Sequence, residues 1–117
     1  MPEDRSLPID IEPVGDAIVV RPHGDVDLSS SPDLRNALTE AVGRNAKRTV
    51  VDLANVDYMD SSGVATLVAG LQAVRHGNGS LLLCGMNDRV QSIFQIARLD
   101  TIFTIVGTLD EAVGADA

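Results

Sequence analysis

The sequence predicts a single α/β domain on a mixed, mainly parallel sheet of about five strands with helices, the first strand added antiparallel through a hairpin. Three observations carry this expectation. From residue 17 onward, short aliphatic runs alternate with segments whose apolar residues recur at helical spacing. Near the start, two apolar stretches flank Gly15-Asp16, which is hairpin turn chemistry. The length, 117 residues, suits one domain that buries roughly two thirds of its unfolded surface.

Ile9-Asp10-Ile11 and Ala17-Ile18-Val19-Val20 form the arms of the hairpin. Turn residues follow until Ser29-Ser30-Ser31-Pro32-Asp33, which offers capping hydroxyls, a proline suited to a first turn and an acid favourable to the helix dipole. Leu34, Ala37, Leu38, Ala41 and Val42 then make one apolar stripe, ended by residues 43–45. Residues 49–53 are short and β-branched, as expected of a central strand covered on both faces. Asp60-Ser61-Ser62-Gly63 opens a second helix striped by Val64, Leu67, Val68, Leu71 and Val74, and His76-Gly77-Asn78-Gly79 closes it. Residues 80–84 are a further strand, and Asn87 or Asp88 caps a helix carrying Val90, Ile93, Phe94 and Ala97. Residues 102–106 make the last strand and 108–113 a short final helix. The folded unit is residues 8–113, with a flexible N-terminus over 1–7 and a dispensable tail over 114–117.

Composition excludes several functions. A net charge of −8 repels a phosphate backbone, so no direct nucleic-acid partner is expected. One cysteine, Cys84, and two scattered histidines, His23 and His76, leave neither a disulfide nor a metal-ligand cluster. Met1-Pro2-Glu3-Asp4-Arg5 is acidic where an export signal starts basic. Residues 61–74 fall short of the roughly 20 apolar residues that cross a bilayer. A cytoplasmic protein that inserts in no membrane is the expectation.

In an open α/β sheet, functional loops gather beyond the carboxyl ends of the strands, so residues 24–27 and 57–63 are expected to share one edge. Ser61 stands out there, because a hydroxyl at a helix start is exposed and the helix dipole favours an added anion. The competing reading is that Ser61 or Ser62 only caps the helix. A serine nucleophile lacks its base: His76 lies about 22 Å farther along the same helix at 1.5 Å rise per residue, and no G-x-S-x-G elbow surrounds Ser61. Asp27 and Asp60 could be paired catalytic acids, or metal ligands completed by Asp25 and Asp57, but the pattern of a calcium loop is absent; they are read as shaping the charge that a phosphoryl donor or partner meets, and Asp25 as simply solvated. Gly77-Asn78-Gly79 is a turn and lacks the spacing of a phosphate loop. Cys84 reads as a buried, inert thiol. Tyr58, Met59 and Val64 suit either the core or a docking patch.

Val50-Val51-Asp52-Leu53, Tyr58-Met59-Asp60-Ser61-Ser62-Gly63 with the helix behind it, Gly79-Ser80-Leu81-Leu82-Leu83-Cys84 and residues 90–94, together with the upstream Gly24-Asp25-Val26-Asp27, resemble the STAS domain of bacterial anti-sigma factor antagonists. The resemblance spans roughly residues 8–113. It departs at Ala65, where a second glycine is frequent, and at Ala97-Arg98-Leu99, where Ser-Gly-Leu is common. What it implies is a non-enzymatic regulator of transcription, of the stress-response or sporulation kind, that works by partner switching. Ser61 would be the phosphoacceptor and Asp27 the loop acid beside it. Asp25, Asp27, Tyr58, Met59, Asp60, Ser62, Gly63 and Val64 would bind the partner. The unmodified protein would bind an anti-sigma factor that is also a serine kinase, releasing a sigma factor. Phosphorylation of Ser61 would end the contact, and a metal-dependent serine phosphatase would restore it. The protein itself needs no cofactor or metal, since the ATP and the metal belong to the partners. An alternative within the resemblance is a stand-alone STAS subunit of a membrane transporter or of a larger stress-signalling assembly.

Overall fold

The computed structural model describes residues 7–114. Its elements are β1 (Ile9–Val14), β2 (Ala17–Pro22), α1 (Ser31–Gly43), β3 (Arg48–Asp52), α2 (Ser61–His76), β4 (Ser80–Cys84), α3 (Asp88–Ile96), a 3₁₀ turn (Leu99–Thr101), β5 (Thr104–Val106) and α4 (Leu109–Gly114). The five strands lie in the order β1-β2-β3-β4-β5, β1 antiparallel to β2 and every other pair parallel. The hairpin closes on Val14 paired with Ala17, and Gly15 adopts φ +62°, a conformation nearly free of cost only for glycine. The mixed sheet and the central place of β3 match the expectation.

Period-two alternation divides the strand residues between two faces. Ile18, Val20, Val51, Leu81 and Leu83 point to α1, α2 and α3, where Leu34, Leu38, Leu67, Leu71, Val90 and Phe94 complete the main core. Val19, Val50, Leu82 and Cys84 point the other way and meet Ala112 of α4. Coverage on both faces is why β3 and β4 read as unbroken apolar runs. The Cys84 thiol is pushed up to about 12, first by burial and then by the adjacent Asp52 carboxylate, so it stays protonated and inert as expected. Asp52 is itself paired with Arg21, whose Nε donates to it at 3.1 Å.

Two boundaries and one cap differ from the sequence reading. Helix α1 begins at Ser31, within the expected Ser29–Asp33 start and with Pro32 in its first turn, but Ser30 at its N-cap makes no side-chain capping hydrogen bond. The Asp27 carboxylate has drawn the serines into its own loop, accepting from the Ser29 and Ser30 amides at 3.0 and 3.1 Å, and such local side-chain bonds compete with helix. Strand β5 begins at Thr104, because residues 99–101 wind into the 3₁₀ turn and Phe103 swings inward to meet Phe94 edge-on, ring centroids 5.6 Å apart. Helix α4 begins at Leu109, with Thr108 and Glu111 each bonding the other's amide at 3.1 Å, a capping box.

Residues 1–6 and 115–117 of the expected end segments lie outside the described residues. Leu7, assigned to the flexible end, is held: its amide donates to Asp33 Oδ2 at 2.8 Å. Gly114, assigned to the tail, closes α4.

Candidate functional site

The expected shared edge exists. Val26 and Met59 form a parallel bridge between the loop after β2 and the loop after β3. Val26 N donates to Tyr58 O and Asp60 N to Val26 O, both at 3.0 Å, and Gly24 N donates to Asn55 O at 3.1 Å. The two carboxylate-rich segments are thereby fixed side by side.

The start of α2 resolves the competing readings of its serines. The residue that caps the helix is Asp60, in extended conformation, whose Oδ1 accepts from Ser62 N at 2.9 Å and Gly63 N at 3.3 Å. Oδ1 also accepts the Ser62 hydroxyl, and Oδ2 accepts Leu28 N at 3.2 Å. One carboxylate therefore satisfies two orphan donors of the helix and ties down the neighbouring loop. These bonds, the Ser62 hydroxyl foremost, hold its acid below the usual carboxylate range. Ser62 is half-buried with its hydroxyl engaged. Ser61, the first helical residue, is exposed, and among the described residues its hydroxyl has no partner.

Asp27 is likewise held low, chiefly by the Ser29 hydroxyl, which donates to it at 2.7 Å. Asp25 and Asp57 are exposed. Of these carboxylates, Asp60 is the one that lines the surface beside Ser61. Among the described residues no group of three or more His, Cys, Asp or Glu is placed to hold a metal ion. Neither histidine serves Ser61: His23 is engaged by Asp10 at 2.8 Å and Asn55 at 3.3 Å, and His76 ends α2 at the far side.

The expected partner-contact set divides by depth. Tyr58 is 42% exposed, while Met59 is 0% exposed and belongs to the core, as its bridge to Val26 requires. Gly63 is buried too. Met59, Gly63 and Val64, the last 9% exposed, therefore lie deeper than Tyr58. A Cβ on Gly63 would lie 2.6 Å from Met59 Cγ and 2.8 Å from Val26 Cγ1. Gly63→Ala gains up to about 1 kcal/mol of helix propensity, but overpacking a stiff, bridged core outweighs it. The expected outcome is a net loss of about 1–2 kcal/mol in a urea titration, with the folded spectrum retained.

An open groove of about 520 Å³ adjoins Ser61, lined by Tyr58, Met59, Asp60 and Val64 and by Ile93 of α3 and Ala97 just beyond it. Two further exposed apolar residues escaped the sequence reading: Leu28, 77% exposed in the Asp27 loop, and Ile96, 84% exposed on α3. Each had a signal. Leu28 is an aliphatic residue inside a polar turn, and Ile96 falls off the stripe formed by Val90, Ile93, Phe94 and Ala97.

The family model of the STAS domain matches residues 8–112, and the chain belongs to that family. Within it the chain belongs with the anti-sigma factor antagonists, a class of regulators rather than enzymes. It is 30% identical over 86 residues to the anti-sigma-B factor antagonist of Staphylococcus aureus, covering 74% of this chain and 80% of that one. An anti-sigma factor antagonist from Mycobacterium paratuberculosis superimposes with a TM-score of 0.85 at 23% identity, over 97% of this chain and 96% of that one. The phosphorylated form of the Bacillus cell fate determinant SpoIIAA superimposes with a TM-score of 0.69 at 21% identity, over 91% and 96% of the two chains. Among the described residues no helix is long and apolar enough to cross a membrane.

Proposed function

We propose that the protein is a phosphorylation-controlled antagonist of an anti-sigma factor, active in the cytoplasm, with residues 8–113 as its working unit. The observation that supports this reading most is the division of labour at α2: Asp60 caps the helix, which leaves Ser61 exposed and uncommitted. In the unmodified state the partner, an anti-sigma factor with serine kinase activity, docks over Ser61, with Leu28 and Tyr58 as apolar contacts beside the groove. Docking occupies the anti-sigma factor and frees its sigma factor.

The kinase then transfers the γ-phosphoryl group of ATP to the Ser61 hydroxyl. The Oγ–P bond forms as the bond to the β-phosphate oxygen breaks, ADP leaves, and the hydroxyl proton passes to a base of the kinase. The product adds about −1.5 to −2 charges. The helix dipole tolerates an anion at this position, but Asp60 already occupies the Ser62 and Gly63 amides, so the phosphate cannot use them without displacing the cap. The added charge meets Asp25, Asp27, Asp57 and Asp60 across the docking face, and a contact surface that must be desolvated becomes repulsive. Hydrolysis by a metal-dependent serine phosphatase resets the switch.

Incubation with the cognate kinase and ATP, followed by mass mapping of peptides, is expected to find one phosphate, on Ser61. Thr66 is shielded, because it is buried and its hydroxyl donates to Ser62 O at 2.9 Å. A phosphate on Ser62 in its place would remove the acceptor assignment and leave the family intact.

A further inference from the structure

Ser61 is delivered by an irregular loop, residues 53–60, that leads from β3 to α2. Its carbonyls at Val56 and Asp57 turn toward the start of α3, where Asn87 stands. Asn87 Oδ1 accepts from Val90 N at 2.8 Å and caps α3. Its Nδ2 donates to Asp57 O at 3.2 Å and lies 3.5 Å from Val56 O, the shorter contact being the effective bond. One side-chain amide thus joins the two walls of the groove: α3 carries Ile93 and leads into Ala97, and the loop carries Tyr58 and Asp60 and runs into Ser61.

We propose that Asn87 is a positioning residue, which sets the separation of the groove walls and so the presentation of Ser61. Capping alone does not require this side chain, since Asp and Ser cap a helix about as well as Asn. Only an amide offers an acceptor to the helix and donors to the loop at once. Aspartate would set a carboxylate oxygen against the loop carbonyls, and serine is too short to reach them. The inference deepens the function proposed above and rests on it only where phosphorylation is the readout.

The test compares Asn87→Asp and Asn87→Ser, which keep the cap, with Asn87→Ala, which loses both bonds. In native-state hydrogen exchange, the first two are expected to leave the α3 amides within about threefold of wild type. They should speed the Val56, Asp60 and Val26 amides, which bond to Leu53 O, Val26 O and Tyr58 O, by about tenfold or more. With the cognate kinase and ATP, the KM for these variants as protein substrates should rise several-fold while kcat stays within about twofold. Wild-type exchange in the loop would overturn the proposal, as would equal acceleration of α3 and loop in all three variants, which reduces Asn87 to a cap. An unchanged KM in a variant whose loop has loosened would also overturn it. If wild-type Ser61 takes no phosphate, the switch reading fails by itself, and the exchange data still decide the role of Asn87.

Discussion

Ser61→Asp binds the cognate anti-sigma factor at least about tenfold more weakly than Ser61→Ala, a gap of about 1.4 kcal/mol or more. The alanine variant stays within about threefold of wild type. The asymmetry follows from what Ser61 does in the unmodified protein. Its hydroxyl caps nothing and bonds nothing among the described residues, and it sits exposed at the first helical position, so its removal costs little. A carboxylate there adds a second charge beside Asp60 on the surface proposed to dock the partner. It is about half the charge of a phosphoserine, so the tenfold figure is a lower bound for the modified protein. Both variants should melt within a few degrees of wild type, because no buried contact changes. Isothermal titration of each variant into the partner reads the affinities, and the thermal transitions supply the folding control.

Asp60→Ala is expected to damage this edge in two ways. It removes the acceptor of the Ser62 and Gly63 amides, of the Ser62 hydroxyl and of Leu28 N. Loss of an N-cap costs about 1–2 kcal/mol, which lowers Tm by roughly 5–10 °C in a domain near this size. A second consequence is chemical: the Ser62 hydroxyl is released, and the kinase should now modify Ser62 as well as Ser61. Asp60→Asn preserves a capping oxygen and should recover most of the stability. The wild-type acid also contributes a pH dependence with a definite sign. Its pKa is depressed in the folded state, so its stabilisation is present above the ordinary carboxylate value near 3.9 and is lost as pH falls through the folded value. Asp60→Asn should therefore narrow its deficit relative to wild type as the pH drops below about 4. Mass mapping and thermal melts across pH read both effects.

The sheet was legible because its signal is carried by many residues at once. Residues buried on both faces of β3 and β4 must be apolar without interruption, and the hairpin needs a glycine at positive φ, so pattern and turn chemistry agree. Caps are a different problem. Asp60, Ser61 and Ser62 can all cap a helix, and spacing cannot rank them; a single carboxylate settles the matter by accepting four donors. The same competition removed the serine cap expected of α1, whose start was read correctly, because Asp27 took the hydroxyls and amides of Ser29 and Ser30. At β5, Ile102-Phe103 read as strand because the ring of Phe94, on another helix, leaves no trace at positions 102 and 103.

Depth was the other hidden variable. Tyr58 and Met59 were both read as able to serve the core or a docking patch, and the bridge to Val26 is what turns Met59 inward and leaves Tyr58 outward. Leu28 and Ile96 carried visible irregularities, yet their exposure depends on where α1, α2 and α3 pack. Asn87 was legible as a cap, since its acceptor bond is three residues away. Its donor bond spans 30 residues and belongs to the tertiary structure.

The most direct test titrates the purified partner with two samples of this protein, one unmodified and one stoichiometrically phosphorylated on Ser61, while circular dichroism follows the fold of each. The expected result is tight binding by the unmodified form, a loss of about tenfold or more on phosphorylation, and superimposable spectra. Equal affinities, or tighter binding by the phosphorylated form, would contradict the account.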